Sequence, residues 1–413
     1  MNDIIAFFAA LPLFLLSVAW VFNQALLKKS NGLILFVAFL LRFTLAIIHT
    51  YVMPLPDSQA DALMFHYQAV EWADEGFLAT ISHFTIGTFL YSWILAMLYN
   101  MFGPYQLVGQ ALNVWLGILI VANTWQFTWE VTKSKRYTAI AAWLVTLYPI
   151  LNLYSAITMR ENFVQLFTII GFRYAYRWFE RKKPIDMMKM FVFIFLAGLF
   201  HAGIFVFFAA LGLIIVIKQF KRLMKQNSRL SMQMLFAVVT LVFVGLLILL
   251  SDVGRDKLGI LLNLGYSVSY TASERAGYLQ DLHIHSPFDI VWQAPIRFIY
   301  FLFAPFPWMI HESIDVIGML DGAVYLIVAL YCVWHWRVLK NNKRQLYIIV
   351  LLLSVVLAFA IATSNYGQAM RHRSKLLPIM FSTAAMTAYD VKQRRTRIRR
   401  TIDGRRLFID VGL

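Results

Sequence analysis

The chain has 413 residues, 60% of them hydrophobic and 14% charged, with a mean hydropathy of +0.67. A soluble domain is about half apolar and a quarter charged, so composition excludes one and points to an all-α, polytopic membrane protein forming a single transmembrane domain. The net charge of +16 lies in short Lys and Arg clusters between apolar runs, a pattern that orients a membrane protein and gives no reason to expect nucleic acid as a partner. Cys332 is the one cysteine, which excludes a disulfide framework and a thiol metal site.

A crossing helix needs about 20 apolar residues, and basic loops stay on the cytoplasmic side. Basic clusters at 28–29, 133–136, 177–183, 218–229, 337–344 and in a tail at 391–413 therefore predict one set of cytoplasmic ends. The first apolar segment, 4–24, lacks a basic leader and a small-residue cleavage site, so it is expected to be retained. With 33–52 it makes the first span pair, leading to an outer loop at 53–105.

The apolar run 84–102 is expected to lie in the outer interface, because a crossing there would deliver the 133–136 cluster to the wrong side. Spans are then expected at 106–130, 137–153 and 162–177, in a hairpin within 185–216, and at 231–250. An outer loop at 251–315 contains 291–310, an apolar stretch carrying Pro295, Pro305 and Pro307, expected to be re-entrant. Spans at 317–336, 346–363 and 375–390 complete about eleven crossings, almost free of charge.

This topology gathers the unusual chemistry on the outer face. Residues 54–76 carry Asp57, Asp61, Glu71, Asp74 and Glu75. Apolar residues at helical spacing predict an amphipathic helix over 60–76 with Asp61 at its start. Two readings of Asp61 are open: a general base kept ionised by the helix dipole, or a helix cap.

Glu161, beside Arg160 at the start of a helix, either forms a structural ion pair or faces Asp61 and positions an acceptor hydroxyl or a divalent cation, the one cofactor left open. His201 marks the hairpin tip and could donate to a phosphate. Arg371, His372, Arg373 and Lys375 break the positive-inside pattern, and a phosphate or pyrophosphate matches their donors. Lipid head groups or loop carboxylates are the other partners such cations take. The sequence shows no Walker loop, Gly-rich dinucleotide turn or Cys/His metal cluster.

These motifs together resemble the GT-C superfamily of integral-membrane glycosyltransferases. Asp61, Phe65-His66, Ala69 and Gly76 are similar to that family's first outer loop. Phe89 to Trp93, Phe102-Gly103, Asn113, Lys135-Arg136-Tyr137, Tyr148-Pro149 and Tyr154-Ser155 are similar to its early core. Arg371-His372-Arg373 followed by Leu377-Pro378 resembles its late Arg-rich, Pro-containing helix start.

The resemblance implies a polyprenyl-phosphate or -pyrophosphate sugar donor, Asp61 as catalytic base and Glu161 as the second acidic position. Arg371, His372, Arg373, Lys375, Arg160 and His201 would attend the lipid phosphate. It further implies a sugar or glycan acceptor, membrane lipids as surroundings, and a site at the extracytoplasmic face of a bacterial plasma membrane. Arg160 departs from the Asp-rich form of some members, and the large C-terminal domain of many members is lacking, which leaves the acceptor open. Trp93, Trp292 and Trp308 would line the sugar and lipid grooves or anchor the interface. A repeat-unit polysaccharide polymerase and a flippase for the same lipid-linked sugars are the competing functions.

Overall fold

The computed structural model describes residues 2–28, 31–223, 276–279, 282 and 287–410, so the span expected at 231–250 lies outside it. Regular structure among these residues is helical, apart from one isolated bridge between Gly277 and Asn365. In chain order the helices are α1 (Asn2–Lys28), α2 (Gly32–Tyr51), α3 (Asp61–Asp74), α4 (Phe77–Ser82), α5 (Leu90–Phe102) and α6 (Gln106–Thr132). They continue as α7 (Lys135–Leu147), α8 (Pro149–Ala156), α9 (Glu161–Arg181), α10 (Pro184–Phe200) and α11 (Val206–Leu223). The last are α12 (Pro287–Phe303), α13 (Ser313–Trp334), α14 (Lys343–Ala362), α15 (Tyr366–Ser374) and α16 (Leu377–Asp410).

Side-chain bonds sort the helix ends into two groups. At one end Tyr51 Oη donates to the Asp3 carbonyl (2.8 Å), Thr50 Oγ1 to Gln110 Oε1 (2.8 Å) and Gln106 Nε2 to Thr158 Oγ1 (3.3 Å). There too Arg160 donates to the Phe200 carbonyl (3.2 Å) and Tyr366 Oη to Asp315 (2.9 Å). At the opposite end Arg344 pairs with Glu180 (2.9 Å) and Asn342 bonds Asp390 (2.8 Å).

Helix α5 does not change ends. Gly87 N donates to the Leu199 carbonyl just before α5 (2.9 Å), and α6 starts beside Thr158 just after it. Farther along, Tyr278 N donates to the Ser364 carbonyl (2.8 Å) and Arg373 to the Ala304 carbonyl (2.9 Å).

Among the described residues six helical segments, Asp3–Leu26, Gly32–Tyr51, Gln106–Thr132, Ala202–Gln219, Asp315–Trp334 and Lys343–Ala362, are long and apolar enough to cross a membrane. A seventh arises if α7 and α8, bent by 55°, form one broken span. The chain is a multi-pass helical membrane protein. The bend follows from Pro149: the residue before a proline is driven out of the α region, and Tyr148 is extended. Pro149 then occupies the first position of α8, where its missing N–H costs nothing.

The break exposes carbonyls that a continuous helix would use, and two buried side chains take them. Asn152 donates to the Thr146 carbonyl (3.0 Å), and Arg42 of α2 donates to the Val145 carbonyl (3.4 Å) and Ser155 Oγ (3.3 Å). The spans are thus not almost free of charge as expected. Arg42 in α2, Asp321 in α13 and the α6–α9 group of Glu130, Arg173 and Arg177 lie among the helices, each held by polar partners. A carbonyl freed by a broken helix and a residue on another helix make these sites, neither of which hydropathy registers.

Gly117 makes room for Arg42, since a Cβ there would stand 2.6 Å from Arg42 Nε and 2.7 Å from Ser155 Oγ. Gly117→Ala is expected to destabilise the detergent-solubilised protein by about 1–3 kcal/mol through overpacking. In an Arg42→Ala background it should cost markedly less; equal costs in thermal melts would reject this account.

Candidate active site

The site forms where the loop after α2, the start of α9 and the α15 region meet. Asp61 is the first residue of α3. Ala62, Phe65 and Ala69 bury one face of that helix, at the spacing expected of an interfacial helix packed on α5. Thr158 Oγ1 donates to the Ala62 carbonyl (2.8 Å), tying α3 to the turn before α9. That turn is pinned in its own right, because Asn113 Nδ2 donates to the carbonyls of Ile157 (2.6 Å) and Met159 (2.9 Å).

Into this frame α15 brings Arg371. Its Nη2 donates to Asp61 Oδ2, and its Nε lies 3.5 Å from Asp57 Oδ2. One guanidinium thus bridges two carboxylates, as a planar fork of donors allows. The capping reading of Asp61 fails: the N-cap is Ala60 and the helix has no side-chain cap, while the carboxylate is engaged by Arg371. Asp57, named in the sequence without a role, sits at positive φ (60°) in the turn before α3 and hydrogen-bonds Tyr154. Burial raises its carboxyl above the ordinary range, against the opposing pull of Arg371.

Beneath this bridge lies a second pair. Lys375 Nζ stands 3.5 Å from Glu161 Oε1, with both side chains almost fully enclosed. Burial pushes the Glu161 carboxyl up, but Lys375, Arg371 and Arg160 outweigh it and hold it below the usual value. Burial pulls the Lys375 amine down from 10.5 to about 7, more than Glu161 restores.

Glu161, for which the sequence leaves an acceptor hydroxyl or a divalent cation open, is surrounded by three cationic side chains, a field that opposes a further cation. Among the described residues no group of three His, Cys, Asp or Glu converges on a metal position.

The remaining expected residues divide. Arg160 lies over the Phe65 ring (5.7 Å) and donates to the Phe200 carbonyl, beside the cluster. His201 and His372 face each other with Nε2 atoms 3.4 Å apart, and His372 Nδ1 is 3.1 Å from Thr363 Oγ1.

Arg373 is a correction. It is wholly buried, its Nε donates to Asp321 Oδ2 (2.6 Å), and its Nη atoms donate to the carbonyls of Phe301, Leu302, Ala304 and Gly318 (2.9–3.2 Å). It closes the C-terminal end of α12, where helix carbonyls lack partners, and no donor is left for a phosphate. Tyr148 Oη donates to the other oxygen of Asp321 (2.5 Å). His66 turns away as well, bonding Tyr99 Oη (2.8 Å).

The aromatics do not share one groove. Trp93 Nε1 bonds the Thr80 carbonyl (2.9 Å), whereas Trp292 and Trp308 are exposed. Of the residues to which the sequence assigns no role in the site, Asp321 carries a readable signal, an acid inside an apolar run; Tyr148 and Tyr154 stand there only among the residues of the family resemblance.

No family model, no curated protein and no solved structure matches the chain.

Two outcomes are expected. Asp321→Ala should cost about 3–5 kcal/mol by stranding a buried guanidinium, and Arg373→Met with Asp321→Leu should recover a good part of that in thermal melts.

The Lys375 amine gives a pH signature with a defined sign. Below pH 7 both folded and unfolded chains hold its proton, and the folded state bears the cost of burying it. Between pH 7 and 10.5 the unfolded chain holds more of the proton, so stability rises with pH. Melting temperatures measured from pH 6.5 to 9.5 should show this rise, and the pair variant Glu161→Gln/Lys375→Met should not.

Proposed function

We propose that this cluster is the centre of an inverting glycosyl transfer from a polyprenyl-phosphate or -pyrophosphate donor to a sugar or glycan hydroxyl. In this reading the chain has the GT-C-like layout of about eleven crossings, with the cluster on the extracytoplasmic face of a bacterial plasma membrane. The observation that carries it is the bridge from Arg371 to Asp57 and Asp61, which joins a base-competent carboxylate to an anion-binding guanidinium across 310 residues of sequence.

In the reaction Asp61 accepts the proton of the acceptor hydroxyl as its oxygen attacks the anomeric carbon. The bond from that carbon to the phosphate oxygen breaks, and the electron pair leaves with the phosphate. Arg371 stabilises the departing anion, with Lys375 behind it and Arg160 and the His201–His372 pair beside it. Before the donor arrives Arg371 is held by the two carboxylates, so the phosphate competes with Asp61 for the same donors. Turning Arg371 to the phosphate frees Asp61 to take a proton, which couples donor binding to activation of the base.

The side-chain exposures fit this order: 41% for Asp61 and 33% for Asp57, reachable from solvent, against 16% for Arg371. Asp57 holds Arg371 from the other side, as a positioning residue.

Asp61→Asn should retain the lipid-linked donor and lose turnover about 10²–10⁴-fold, the usual contribution of a positioned base. Arg371→Gln should weaken donor binding as well. Donor binding and single-turnover transfer by purified protein test both, and full transfer by Asp61→Asn would overturn the mechanism. A flippase would show unchanged lipid translocation in Asp61→Asn.

A further inference from the structure

At the end of the bundle opposite the cluster, the turn between α13 and α14 and the basic part of α16 enclose a cleft of about 640 Å³. A smaller hollow of about 190 Å³ adjoins it, and the two share Val338 and Arg394. Their walls carry Arg337, Lys343, Arg394 and Arg395. None of these four makes an ion pair among the described residues, whereas neighbouring Arg344 is paired with Glu180. Asp390 is the acid in the wall, and it is engaged by Asn342.

The depth of the cleft is set by its walls, because α13 and α14 contain two of the segments able to cross the membrane, and the cleft lies where one ends and the other begins. Trp334, 85% exposed, and Trp336, 50% exposed, stand at that level, where indole rings settle among head groups. We infer that this cleft seats the head group of an acidic phospholipid, its phosphate among Arg337, Arg394 and Arg395 and its acyl chains running down beside Trp334.

Charge complementarity decides the occupant. Unpaired guanidinium groups at head-group depth have the lipid phosphate as their most abundant anion, and clustered basic side chains at a membrane surface select anionic over zwitterionic lipid. This inference does not depend on the glycosyl-transfer reading.

The experiment uses the full-length protein in detergent, with native mass spectrometry counting retained lipid after addition of phosphatidylglycerol or phosphatidylcholine. Phosphatidylglycerol should be retained in preference to phosphatidylcholine. Arg337→Gln/Arg394→Gln/Arg395→Gln should weaken its retention about tenfold or more. Lys133→Gln/Lys135→Gln/Arg136→Gln, which removes three exposed cations elsewhere at the same end, should leave it unchanged.

Equal retention of the two lipids, equal loss in both variants, or displacement of the lipid by millimolar inorganic phosphate would overturn the inference. Thermal melts of both variants confirm that they fold, which the exposure of Arg337, Arg394 and Arg395 leads one to expect.

Discussion

A cation enclosed by an apolar bundle must find a counter-charge, because leaving one partner of a buried pair alone costs several kcal/mol. Arg371 and Lys375 lie four positions apart at the end of α15, and both face inward, the first to Asp57 and Asp61 and the second to Glu161. Their partners come from the loop after α2 and the first turn of α9. These three ion pairs therefore decide where α15 sits, and with it how the late helices close over the early ones.

The distribution of charge differs between the two ends. Near the cluster Arg371, Arg373 and Lys375 each meet a carboxylate. At the opposite end Arg337, Lys343, Arg394 and Arg395 meet none among the described residues. The second group leaves its neutralisation to the surroundings, whereas the fold supplies the first with anions of its own.

Much of this was legible in the sequence. Helix α3 begins at Asp61 as its apolar spacing requires. The meeting of Asp61 with Arg371 could be anticipated because a cluster of cations next to apolar segments needs anions nearby. What could not be read was which cation serves which anion. Arg371 and Arg373 differ by two positions on a short helix, enough to point one at the acidic loop and the other into the carbonyl end of α12. Sequence spacing assigns neither direction without knowing where α12 and α13 pack. Arg42 illustrates the same limit, since its place depends on the bend at Pro149 in a helix that lies beside it only in three dimensions.

Because Arg373 is moored on all sides, α15 has a fixed pivot one turn or less from Arg371 and the His372 ring. Sliding or tilting that helix would tear several bonds at once, so repositioning the Arg371 guanidinium is left to rotation about its own side-chain torsions. Rotamer changes take picoseconds to nanoseconds at accessible positions, but Arg371, 16% exposed, must first release the two carboxylates it bridges. Any reorientation of this guanidinium is therefore a swivel on a rigid mount, gated by the two carboxylates that hold it.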